Sequence, residues 1–231
     1  MSHEGAIDER EGATTNREGA TTDRGDGVDG TLTMYADYVC PFCYLGEASL
    51  EQYLDGRERA LDVEWHPFDL RGGKRRPDGS IDHEVADGKD EAYFEQAREN
   101  VRRLQERYGV EMELEIASEI DSKNAQLAAL YVREEHPERF AAFHGAVFDA
   151  LWQHGRDIGD PDVLAEIAAE SGVDPEGVRA ALTDDALDAE LHERFAAARE
   201  AGVTGVPTFA YDGHAARGAV PPEHLQRLIE G

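Results

Sequence analysis

Cysteine is nearly absent from this sequence. Two occur in 231 residues, both in one tetrapeptide, Cys40-Pro41-Phe42-Cys43. That is too few for the disulfide framework of a small secreted domain, and it leaves redox chemistry or metal binding as the first readings of the spacing. Positive charge is also scarce: 23 basic side chains stand against 50 acidic ones, for a formal net charge of −27. Such an excess repels phosphate backbones and anionic bilayers, so nucleic acid and membrane surfaces are excluded as partners. Lysine is the rarest cation, present only as Lys74, Lys89 and Lys123. A carboxylate-rich, lysine-poor surface fits a cytosol of high salt, where a Debye length of about 3 Å at about 1 M screens self-repulsion. No apolar run is long enough to span a bilayer, and residues 1–10 show neither the basic nor the apolar part of an export signal. The expectation is a cytoplasmic protein. Apolar residues make up 40% of the chain, enough for one core of ordinary size.

Residues 1–29 are polar and glycine-rich, and they carry an imperfect tandem heptapeptide, Arg10 to Asn16 followed by Arg17 to Asp23. Such a segment cannot bury itself and reads as a disordered acidic tail. It ends in Gly25-Asp-Gly27-Val-Asp-Gly30, a formal match to a dinucleotide fingerprint. The match precedes a strand, whereas the fingerprint has to follow one and open a helix, so it is set aside.

The domain runs from residue 30 to 231. Thr31 to Ala36 reads as a short strand, and Pro41 then occupies the first position of a helix to about Tyr53. Leu61 to Phe68 alternates apolar and polar as a second strand, followed by a loop from Arg71 to Asp78. Residues 90–201 carry helical periodicity throughout. Tyr93, Phe94, Ala97, Val101 and Leu104 form the first stripe, which Gly109 ends. Asp160-Pro161 and Asp174-Pro175 each read as a cap followed by the first helical residue. Five or six helices therefore separate the second strand from Val206 to Tyr211, an Asp212-Gly213 turn, a short strand at His214 to Gly218 and a closing helix. The fold class is α/β: one sheet with helices on both sides and a large all-helical insertion.

A helix start offers free backbone N–H groups and the positive end of the helix dipole to one sulfur, here Cys40, which is expected to have a lowered pKa. Cys43 lies one turn further in and is the natural resolving partner. Asp37, three residues before Cys40, opposes a thiolate if it points inward. The alternative is half a zinc site, but a closed site needs two more ligands, and there is no second such pair and no tight histidine pair beside the motif.

These residues resemble the DsbA-like branch of the thioredoxin fold, and within it the FrnE-type proteins. The resemblance rests on Asp37 to Gly46, Trp65 to Leu70, Asp157 to Leu164 and Gly202 to Phe209. It implies a mixed central sheet with flanking helices, dithiol–disulfide oxidoreductase or isomerase activity, no bound cofactor and no metal. The partners it implies are protein disulfides or low-molecular-weight thiols such as glutathione. FrnE-type members carry Trp where this chain has Phe42. The resemblance also implies a cis bond between Val206 and Pro207 facing the thiols, with Val206 free to pair with a substrate strand. Pro41 and Phe42 would then tune the dithiol and touch substrate. Related glutathione-dependent isomerases of the 2-hydroxychromene-2-carboxylate type and kappa-class transferases have Ser at the position of Cys40, which makes isomerisation the alternative activity. A thiol-anchored holdase is the non-enzymatic one.

That branch also marks Asn124 as a pocket candidate, against a helix-terminus role. His66 is a candidate proton carrier beside the thiols, against a solvated strand end. Trp65, Phe68 and the Phe140, Phe143, Val147, Phe148 stripe read as packing. Arg71, Arg75 and Arg76 form a basic cluster suited to a carboxylate, against a solvated loop.

Overall fold

The computed structural model describes residues 28–231 apart from 77, 83, 86, 87 and 114, so the acidic tail, its heptapeptides and the Gly25 motif lie outside the described residues. Four strands form one mixed sheet. β1 (Val28–Ala36) runs parallel to β2 (Ala60–Pro67) and antiparallel to β3 (Thr208–Tyr211), and β4 (His214–Arg217) follows at the far edge. A parallel pair needs a crossover, which α1 (Pro41–Asp55) supplies. The β3–β4 hairpin turns at Asp212 and Gly213, with φ of 46° and 77°, the left-handed pair that a two-residue turn of this twist requires. β1 starts at Val28, three residues before the expected Thr31, because Val28 and Asp29 pair with Ala60 and Leu61.

Between β2 and β3 lie α2 (Glu91–Tyr108), α3 (Lys123–Glu135), α4 (Pro137–Trp152), α5 (Pro161–Glu170), α6 (Pro175–Ala181) and α7 (Asp185–Glu200); α8 (Pro222–Glu230) closes the chain. Their ends follow local chemistry. Asp160 and Asp174 accept the backbone N–H groups of Asp162 and of Glu176 and Gly177, and Gly109 ends α2 at φ 68°. Asp184 caps α7 in the same way.

Alternation along β1 divides the core. Leu32, Met34 and Ala36, all buried, join Phe209 and the inner face of α1, while Tyr35 points the other way and packs with Phe68, Ala198 of α7 and Val203. Helices thus cover both faces of the sheet. Phe143, Val147 and Phe148 are buried within the insertion, as their spacing predicts, and Trp65 packs against α4 through Phe140 and His144. Among the described residues no helix is long and apolar enough to cross a membrane.

Candidate functional site: a buried thiol pair behind a cleft

The chain between β1 and α1 is held from several sides. Asp37 is fully buried, and its carboxylate accepts hydrogen bonds from the Val39 N–H (3.2 Å), the Leu70 N–H (2.8 Å) and the Ser122 hydroxyl (2.5 Å). Tyr38 is buried too. Its carbonyl accepts from the Trp152 indole at 2.9 Å, and its hydroxyl bonds His144 Nδ1 at 2.7 Å, while His144 Nε2 bonds Glu47 at 2.8 Å. These ties fix the residue that follows. Cys40 stands at the cap of α1 in extended conformation (φ −98°, ψ 112°), with Pro41 as first helical residue. Its side chain makes no capping bond, so the sulfur sits at the positive end of the helix without being used to complete it. The Cys43 N–H donates to the Cys40 carbonyl at 2.9 Å, which places the second sulfur one turn inside. Cys43 is fully buried, and burial pushes its thiol well above the usual range; a hydrogen bond with Cys40, the charge of Cys40 and that of Asp37 push the same way.

Burial raises the Asp37 carboxyl from the ordinary 3.8 to about 6, against the pull of its three hydrogen bonds. Folded Asp37 therefore holds its proton more tightly than unfolded Asp37. The resulting stabilisation is complete below pH 3.8 and is lost as pH rises through 6, a change on the order of 3 kcal/mol. Asp37→Asn cannot titrate, so its stability relative to the natural chain is expected to improve by about that amount from about pH 4 to about pH 7. Urea unfolding across that range checks it, and parallel curves for the two proteins contradict it.

The opposite wall comes from the far end of the chain. Val206–Pro207 is a cis peptide, and the Cys40 Sγ–H donates to the Val206 carbonyl at 3.6 Å. Gly46 makes this approach possible: a Cβ there would stand 3.1 Å from Pro207 Cγ and 3.3 Å from Phe209. Gly46→Val is thus expected to push α1 and Pro207 apart and to cost about 1–3 kcal/mol of stability through overpacking. Thermal unfolding checks this, and an unchanged midpoint contradicts it.

In front of Cys40 opens a cleft of about 470 Å³ bounded by Pro41, Phe42 and Val206, by the segment from Leu70 to Lys74, and by α2 and residues 116–118. Four large apolar side chains stand out as exposed among the described residues, and three of them line this cleft: Leu70 (38%), Val85 (41%) and Tyr93 (50%). Apolar surface gathered around a reactive group is the usual mark of a binding site.

The DSBA-like thioredoxin domain model matches residues 31–230. The chain belongs to the DsbA-like thioredoxin family. The uncharacterised protein YwbO of Bacillus subtilis is 29% identical over 199 residues, covering 86% of this chain and 94% of that protein. A probable DsbA oxidoreductase from Streptomyces coelicolor superposes with a TM-score of 0.70 at 23% identity, covering 86% and 88% of the two chains. A 2-hydroxychromene-2-carboxylate isomerase structure superposes at 0.68 with 20% identity, covering 87% and 93%. Those two structures share the fold.

Within this DsbA-like frame, Cys40, Cys43, Pro41, Phe42, Val206 and Pro207 come together, whereas two expected site residues lie elsewhere. His66 packs at a tilt against Tyr35, with ring centroids 4.7 Å apart, and bonds the Pro67 carbonyl, and burial lowers its pKa. It faces its strand neighbour rather than the thiols, because β2 pairs Tyr35 with His66 in register. Asn124 donates to the Gly159 carbonyl at 2.7 Å, tying α3 to the loop before α5, and does not line the cleft. The arginine cluster is also divided. Arg75 is buried between Asp69 and Asp121, Arg76 pairs with Asp82, and only Arg71 reaches the cleft, its guanidinium donating to the Ala117 carbonyl. Sequence reasoning missed Leu70, Val85, Lys89 and the exposure of Tyr93, which it placed on a packed helix face. Among the described residues no group of three or more metal-ligating side chains gathers.

Proposed function

We propose that the protein is a thiol–disulfide oxidoreductase in which Cys40 is the nucleophile and Cys43 the resolving thiol. The observation that carries this reading is the pairing of Cys40, 3% exposed but lining the cleft at the start of α1 against the Val206 carbonyl, with Cys43, fully buried one turn behind it and not lining the cleft. The Cys40 thiolate attacks one sulfur of a substrate disulfide. A bond forms between the two sulfurs, the substrate S–S bond breaks, and the first substrate thiolate departs with the electron pair. Cys43 then gives its proton to a departing thiolate and attacks Cys40, releasing the second substrate thiol and leaving the Cys40–Cys43 disulfide. The substrate gains two electrons and the enzyme loses two. An external dithiol or low-molecular-weight thiol restores the reduced enzyme, and the reverse sequence oxidises a substrate dithiol. The reading gives the Val206 backbone, beside Cys40, the role of pairing with an extended substrate backbone. The dithiol itself carries the electrons, so the reading calls for no bound cofactor.

Intact-mass analysis after exposing the reduced chain to a small neutral disulfide tests it. The assay is run in molar KCl, which screens a net charge of −27. The expected product is the chain lighter by two hydrogens and free of adduct. An unchanged mass, or a persistent adduct on the natural chain, overturns the reading in favour of glutathione-dependent isomerisation or thiol-anchored binding.

A further inference from the structure

We propose that the cavity between α1, β2 and α4 is a second binding site, for a small organic cation that carries an ammonium or guanidinium group on an apolar body. The cavity measures about 550 Å³, and Cys40, Cys43, Val206 and Pro207 are not among its lining, so it is separate from the dithiol. Its floor is aromatic: Trp65, Phe140 and Phe148 gather around His144 with ring centroids 5.1 to 5.3 Å from that ring. Four carboxylates line it, those of Glu47, Glu51, Glu111 and Asp149, and among the described residues no arginine or lysine does. His144 is held between Glu47 and Tyr38, and Arg133, which donates to the Trp65 carbonyl at 2.7 Å, pairs with Glu64 outside the lining.

Gly145 lines the cavity in the middle of α4, and among the described residues a Cβ there would meet nothing within 4 Å. Glycine inside a helix weakens it relative to alanine, so the bare backbone costs stability where no packing forbids a side chain, and it widens the cavity. Trp65 is 4% exposed, and its indole N–H has no hydrogen-bond partner among the described residues, a buried donor that the chain itself leaves unmatched. The carboxylates are crowded as well. Burial raises the Glu51 carboxyl above its ordinary value, and the charges of Glu47, Asp149 and Asp55 push the same way, against the pull of His144. A cation relieves that crowding, and the aromatic faces attract it in addition. Among the described residues no three metal-ligating side chains gather, so the carboxylates are spread along the cavity rather than closed on one ion. An organic frame with charge at one end and apolar surface along its length meets both rings and carboxylates, and the exposed Val63 extends the apolar wall.

The test is a calorimetric titration of the full chain in molar KCl with phenethylammonium, phenethyl alcohol and hydrocinnamate, which carry similar bodies and are cationic, neutral and anionic. The ammonium is expected to bind about tenfold more tightly than the alcohol, the sum of cation–π attraction and partly screened ion pairs, and the carboxylate more weakly than either. Glu51→Gln, which removes one exposed charge from the cavity, is expected to reduce the lead of the ammonium by about threefold. Gly145→Leu puts a side chain into the cavity and replaces glycine with a better helix former. Ammonium binding is therefore expected to fall by about tenfold while the thermal unfolding midpoint holds or rises. Equal affinities for the three probes, or no binding of the ammonium, overturn the cation site. An ammonium affinity that neither Glu51→Gln nor Gly145→Leu changes also overturns it, because the binding then belongs to the acidic surface at large. The thiols take no part in these readouts, so every outcome leaves the dithiol reading where it stands.

Discussion

Replacing Cys43 with serine is expected to turn the protein from a catalyst into a trap. Cys40 still attacks a substrate disulfide, but nothing behind it can release the mixed disulfide, so a covalent adduct accumulates and turnover falls by roughly 10³-fold, as when one member of a catalytic pair is lost. Cys40→Ser is expected to lose turnover as completely and to trap nothing, because the remaining sulfur is fully buried and burial holds it as a thiol. Non-reducing electrophoresis and mass spectrometry after exposure to a disulfide-bonded substrate separate the two variants. Adducts on Cys40→Ser, or none on Cys43→Ser, would reverse or remove the assigned roles.

The largest expected loss of stability lies behind the cleft wall. The Arg75 guanidinium, 8% exposed, donates to Asp69 at 3.0 Å and to Asp121 at 2.8 Å, and the Asp69 side chain is 4% exposed. Asp69 also accepts the Arg71 N–H, so the same carboxylate sets the turn that delivers Arg71 to the cleft. Removing the cation leaves a buried carboxylate without its counter-charge, and such a deletion costs about 3–5 kcal/mol. Arg75→Met is therefore expected to lower the urea midpoint steeply, and Arg75→Met/Asp69→Leu to recover a large part of the loss. A single variant within about 1 kcal/mol of the natural chain would contradict this account of the pair.

Features written in neighbouring residues were legible in the sequence. Cys40 before Pro41, the Asp-Pro caps of α5 and α6 and the Asp212-Gly213 turn each depend on chemistry within a few positions, and each stands where the residue pattern places it. The cleft was less legible because its lining is drawn from distant segments. Tyr93 shares a helical stripe with Ala97 and Val101, and periodicity identifies that face without saying where the packing partner ends; Ala97 and Val101 are buried, and Tyr93 extends past them. Arg71, Arg75 and Arg76 look alike as a run, but their fates depend on where Asp69, Asp121 and Asp82 lie in space. The placement of His66 against Tyr35 was illegible for a related reason: nearness to a strand end says nothing about which strand neighbour takes the ring.

The most direct test of the account is a redox titration of the full chain in molar KCl, with graded thiol–disulfide buffers and free thiols counted at Cys40 and Cys43. The account predicts that both thiols disappear together in one reversible two-electron transition, with the Cys40–Cys43 disulfide as the oxidised product. Thiols that titrate separately, or that never pair under any buffer, would contradict it.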